Sequence, residues 1–179
     1  MKFEAREKRL IRFLGIFIGL YAGWMMLYEW VIHPDGTLDT LVINDSSLWS
    51  LWLLNTLGFE TFLGDNETIR TIGIAGTHGL WIGDPCNGLT LFALFSLFIV
   101  AYPGPWKHKA WYIPVGITLI HIMNIIRIAS LCIITLKRPE WLDFNHTYLF
   151  QTLMYGFIFL LWYVWIKKFS SKKPDVKPV

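Results

Sequence analysis

Cysteine is scarce in this chain of 179 residues: there are two, Cys86 and Cys132. A disulfide-stapled scaffold is excluded, and one pairing, Cys86 with Cys132, is the most that an oxidising compartment could form. No HxxxH or CxxC spacing occurs, so a metal site built from His33, His78, His146 and Cys86 has no motif behind it. The glycines at Gly73, Gly76, Gly79 and Gly83 are not followed by GK[ST], which excludes a P-loop phosphate cradle. No internal repeat occurs, and the sole biased segment is the Lys-Pro tail. The basic residues form no nucleic-acid footprint, and no motif calls for a cofactor.

What the chain has in abundance is apolar surface. It is 54% hydrophobic and 17% aromatic, with ten tryptophans, more than a soluble domain of this length needs. Four windows are long and apolar enough to span a bilayer: Leu10–Ile32, Cys86–Tyr102, Trp111–Leu136 and Thr147–Ile166. The first is long and lacks a small-residue cleavage site, so it reads as an anchor. Residues 1–9, 103–110 and 167–179 then share one side, and residues 33–85 and 137–146 the other. The first set holds Lys2, Arg6, Lys8, Arg9, Lys107, Lys109, Lys167, Lys168, Lys172, Lys173 and Lys177, with Arg12 just inside the first span at the same end. The second holds only Arg70, Lys137 and Arg138 against many acids. The positive-inside rule therefore predicts cytoplasmic termini in a cell (inner) membrane. The expected fold class is an all-α integral membrane helical bundle of about four transmembrane helices, forming one domain over residues 1–179.

The long outer segment has its own structure. His33-Pro34-Asp35-Gly36 reads as a turn. Asp45-Ser46-Ser47 can cap a helix that runs to about Leu57, and Gly58 would stop it. Trp49 and Trp52 on that helix point to an interfacial position on the outer leaflet, or to packing against the bundle. From Thr68 to Gly83 the composition shifts to Thr, Ile and Gly, with a turn at Gly76–Gly79, and predicts a small β-hairpin or ribbon. Such a ribbon could accept a peptide as an added strand, or simply brace the segment.

The ribbon leads into WIGDPCNGLTL, Trp81–Leu91. Asp84 suits a helix N-cap and Pro85 the first helical position, which puts Cys86 in the first turn of span two. N–H groups and the dipole there favour negative charge on sulfur, and neighbouring Asp84 opposes it. Two further side chains fall toward the same face. His146 just precedes span four, with Asn145 as the better cap. Arg127 lies inside span three, about 13–14 Å below its outer end at 1.5 Å per residue. An arginine there costs at least ~2.5 kcal/mol on insertion scales, so it needs a partner or a wet cavity.

The chemistry of the three types is complementary. A thiolate is a nucleophile, an imidazole moves protons, and a buried guanidinium stabilises a developing oxyanion. Asn87, Asn124 and Asp84 are the candidate supporting or substrate-binding groups, and Asn124 shares a helix face with Arg127. The bland alternatives are an inert buried cysteine, an Arg127 paired with Asp84 or Asp143, and a His146 that only caps. On those terms the protein would be a non-catalytic scaffold or small transporter. His121, on the same span, reads as a hydrogen-bonded bundle residue.

Cys86 in PCNGL, Arg127 in HIMNIIRIA and His146 in FNHTY resemble the Cys, Arg and His motifs of the exosortase/archaeosortase family, over about Gly83–Tyr155. The resemblance implies a multi-spanning membrane transpeptidase without a cofactor. Its clients would be membrane-anchored proteins with a C-terminal sorting signal, as in PEP-CTERM proteins: a short motif, a transmembrane helix and a basic cluster. Cys86 would form a thioester, and a second nucleophile, such as a membrane lipid, would release the protein. This chain has fewer spans than the larger members.

Overall fold

A computed structural model describes residues 2–64 and 70–170. Thr68, where the ribbon was expected to begin, and the tail lysines Lys172, Lys173 and Lys177 lie outside the described residues. Helix α1 (Lys2–Leu27) continues through a π-helical turn at Tyr28–Ile32 and a last turn at His33–Asp35. It stops at Gly36, where φ is 67°, a left-handed conformation that glycine adopts without steric cost. The expected turn is therefore concentrated at its last residue.

Helix α2 (Thr37–Thr56) starts directly after Gly36, eight residues before the expected cap at Asp45. Ser46 and Ser47 are not caps but fully buried interior residues, as is Ser50. A cap contributes about 1 kcal/mol, and here packing overrides it. The small serine face lets α2 lie close against helix α4 (Trp106–Lys137). The Ser50 hydroxyl lies 2.6 Å from the Ser46 carbonyl and 3.3 Å from that of Ile125. His121 meets Asp45 at 2.7 Å, as a hydrogen-bonded bundle residue should. The opposite face of α2 leaves Leu48, Trp49 and Trp52 exposed.

Among the described residues three short strands follow, β1 (Thr61–Leu63), β2 (Thr71–Ile74) and β3 (Leu80–Trp81), all antiparallel in the order β1-β2-β3. The β2–β3 hairpin turns at Gly76–Gly79, where both glycines have positive φ. Strand β1 lay outside the expected ribbon. It is too short to show an alternating pattern and is held by register with β2, Thr61 opposite Ile74.

Helix α3 (Leu89–Ala101) is short, largely apolar and without a charged residue, α4 is long, and helix α5 (Phe150–Val164) belongs to a helical run from Pro139 to Phe169. Helix α4 begins five residues before the expected span and places Pro114 well inside it. Glu7–Asp35, Trp106–Lys137 and Pro139–Phe169 are each long and apolar enough to cross a membrane. The protein is thus a multi-pass, all-α membrane bundle with a small sheet. The C-terminal end of α3 is closed by Lys109, whose ammonium donates to the Val100 and Tyr102 carbonyls at 2.7 and 2.8 Å. A cation on orphan helix carbonyls is favourable there.

Among the described residues the buried side chains form two cores. One joins α3, α4 and α5 through Phe95, Ile99, Tyr112, Ile120, Met154, Ile158 and Trp165. Inside lipid such packing rests on dispersion and close fit. Phe98 stacks on Trp162 at 4.0 Å, and a Cβ on Gly116 would lie 2.1 Å from the Phe95 ring, so only glycine fits. The other core joins α2, the sheet and the far half of α4 through Ile43, Leu54, Ile72, Ile74, Ile82, Ile128 and Cys132. Helix α4 can serve both because its 32 residues extend about 48 Å, well beyond a ~30 Å hydrocarbon layer.

Candidate active site

The chemistry-bearing side chains meet at the edge of the second core, against which Cys86 packs. Cys86 does not sit in the first turn of α3. Residues Asp84–Cys86 form a 3-10 turn, the Cys86 N–H donates to the Gly83 carbonyl at 2.9 Å, and Gly88, at φ 91°, separates this turn from α3. Asp84 is not the cap either. It accepts from Arg70 at 2.7 Å, while the Asn87 side-chain oxygen takes the Leu89 N–H at 2.8 Å. Glycine at 88 lets the chain reverse hand just before the helix, and this carries the cysteine off the helix axis.

His146 arrives from the other side. The expected cap at Asn145 is also displaced: the chain is already helical from Leu142, and Asn145 donates to the Trp141 carbonyl at 2.7 Å. His146 lies in a π-helical turn, Asn145–Leu149, a local widening of the kind that recurs at functional sites. Its Nε2 is 3.2 Å from the Cys86 Sγ. Arg127, from α4, is 6% exposed, and its Nη2 lies 3.8 Å from the same sulfur. Among the described residues Arg127 has no carboxylate partner, and its buried Nε has no hydrogen-bond acceptor. Asp84, one of its two expected partners, is engaged by Arg70 instead. The three candidate catalytic side chains therefore converge on one sulfur atom, with a guanidinium whose charge is left for that sulfur or for something bound beside it.

Asn124 and Asn87 hold the loop. The Asn124 amide donates to the Cys86 carbonyl at 3.0 Å and lies 3.4 Å from that of Asn87. The Asn87 amide donates to Asp39 in the first turn of α2. Both amide groups are thus spent on backbone and carboxylate, not aimed at open space.

Asp39 is the residue that sequence reasoning missed. It is fully buried, and its Oδ1 accepts from both Asn87 and the Tyr28 hydroxyl, the latter at 2.8 Å. Its Oδ2 has no hydrogen bond and faces His33 Nδ1 at 3.7 Å. His33 stacks on Tyr28 and also approaches Asp84 at 3.8 Å. The one available signal was a carboxylate inside the apolar run Thr37–Ile43. Asp39→Ala strands two buried donors, at about 1–3 kcal/mol each. The expected result is a lower thermal midpoint of the purified protein and slower alkylation of Cys86 by iodoacetamide, with Asp39→Asn restoring much of both.

The sulfur, the guanidinium and the imidazole open onto a narrow cleft bounded also by Leu80, Trp81 and Ile82. It holds about 20 Å³ of free room, the space of roughly one water. Cys132 is elsewhere in role: it is a free thiol, 1% exposed within the second core, and Cys86 is free as well.

A model of the transmembrane exosortase family matches residues 44–166, which include Cys86, Arg127 and His146. No curated protein and no solved structure matches the chain. The match covers more than half of the sequence and all three converging side chains, and on it the chain belongs to the transmembrane exosortase family.

Proposed function

We propose that this protein is a membrane cysteine transpeptidase that removes the C-terminal sorting signal of exported, membrane-anchored proteins. The observation that carries this reading is the convergence of His146 and Arg127 on the Cys86 sulfur, at 3.2 and 3.8 Å. In the first half-reaction the Cys86 proton passes to His146 Nε2 and the sulfur attacks the scissile carbonyl carbon. Negative charge moves to the carbonyl oxygen, where the Arg127 guanidinium balances it. The carbon–nitrogen bond then breaks, His146 returns the proton to the leaving amine, and a thioester remains on Cys86. In the second half-reaction an acceptor hydroxyl, amine or water gives its proton to His146 and attacks the thioester. The carbon–sulfur bond breaks and the thiol is regenerated.

The charge distribution supports cytoplasmic termini, with the site on the extracytoplasmic face. Spans at 10–32, 86–102, 111–136 and 147–166 fit that arrangement. Clients of PEP-CTERM type, with a membrane helix and a basic tail, present their cleavage region on that same face. The scaffold reading, in which Arg127 is a structural ion-pair partner, has less support, because Arg127 has no carboxylate partner among the described residues.

The test is to read C-terminal peptides of membrane and surface proteins in cells with and without the gene. A set of proteins that keeps its apolar helix and basic tail only in the deletion strain identifies the clients. Unchanged C-termini throughout would overturn the proposal.

A further inference from the structure

We propose that the free edge of β3, at Trp81, is the docking strand for the client, which binds as an extended peptide added to the sheet next to Cys86. The inference rests on the cysteine transpeptidase reading and deepens it.

Strand β3 is the last in the order β1-β2-β3. Thr71 lies opposite Trp81 and Ile72 opposite Leu80. The next pair outward, Arg70 and Ile82, is hydrogen-bonded, with the Ile82 N–H on the Arg70 carbonyl at 2.7 Å. Antiparallel pairs alternate between bonded and non-bonded. Leu80 is therefore a bonded position that faces β2, and Trp81 is a non-bonded one. The N–H and carbonyl of Trp81 point away from the sheet, and no described residue pairs with that edge.

The edge belongs to the wall of the cleft: Leu80, Trp81 and Ile82 line it together with Cys86, Arg127 and His146. The cleft has room for about a water, so a polypeptide cannot enter it and must lie along its mouth. A peptide in helical form already satisfies its own backbone groups and has nothing to offer an open N–H and carbonyl. An extended one has both, at matching spacing. Trp81 and Cys86 are five residues apart, a reach of at most about 17 Å. The client residue that pairs with Trp81 is thus only a few residues from the scissile bond. Backbone pairing makes this contact tolerant of client sequence. The indole of Trp81, 63% exposed and lying against Gly83, adds a flat surface beside it.

The substitution W81P removes the outward N–H and leaves the ladder bonds of Leu80 and Ile82 in place, as proline is tolerated at a strand edge. An ester in place of the Leu80–Trp81 amide removes the same N–H and keeps the indole, so it guards against a folding failure in W81P. The measurement is the pulse-chase rate of tail loss from the proteins that retain their tails in the deletion strain. The ester variant and W81P should slow it five- to tenfold, with alkylation of Cys86 by N-ethylmaleimide unchanged in the ester variant. Wild-type rates in the ester variant would overturn the edge proposal, whatever W81P does. The transpeptidase reading would survive that result, and would fall if Cys86→Ala also processed clients normally.

Discussion

Cys86→Ala should abolish tail removal as completely as deletion of the gene, a drop on the order of 10⁴-fold or more, since no other nucleophile can carry the acyl group. The protein itself should insert and accumulate normally. Cys86 lies in a turn ahead of α3 and is only partly buried, so the loss of one sulfur leaves little cavity. Cys132→Ala is the internal control. It removes a 1% exposed thiol from the second core and should cost stability without changing the processing rate per inserted molecule. The pair is read by the same C-terminal peptides, normalised to protein level. Full processing by Cys86→Ala would show that the sulfur is not the nucleophile, and equal losses in both variants would point to folding.

Arg127→Met should separate catalysis from stability. An arginine kept for structure should destabilise the bundle when removed, because a carboxylate partner would be stranded. Here the guanidinium is buried without such a partner among the described residues, and its Nε lacks an acceptor. An uncompensated buried cation is a cost to the fold, so an apolar side chain of similar length should leave the thermal midpoint equal or higher. Processing should fall by about 10² to 10³, the usual effect of losing one group that balances an oxyanion. Arg127→Lys should not restore it, because a compact ammonium on a flexible stem does not reproduce the planar fork that reaches the sulfur. A His146→Ala variant belongs in the same series, with a loss of about 10² to 10⁴ from missing proton transfer. A large fall in thermal midpoint in Arg127→Met, matched by the fall in activity, would instead favour a structural arginine.

The three side chains most exposed to these tests were recognisable by type and order alone. What could not be read was how their backbones are held. The expected helix start at Asp84-Pro85-Cys86 obeyed local capping preference, yet Gly88 and Asn87 take that role, and Asp84 turns to Arg70. Capping preferences differ by about 1 kcal/mol, and a single ion pair in a favourable place is enough to reverse them. The same holds at Asn145, which bonds within a helix already begun. Asp39 was silent because its partners, Tyr28 and Asn87, are 11 and 48 residues away, and no local pattern encodes a contact at that separation.

Sequence alone determined the membrane class, the apolar helices, the turn at His33–Gly36, and the hairpin at Gly76–Gly79. These follow from hydrophobic length and from backbone preferences of single residues, which are local quantities. Tertiary structure alone decided that α2 starts at Thr37, that its serines face α4, that a third strand joins the sheet, and that sulfur, imidazole and guanidinium meet within 4 Å. Those outcomes depend on which surfaces exclude lipid and water together. That is a property of two packed cores and the long helix that they share.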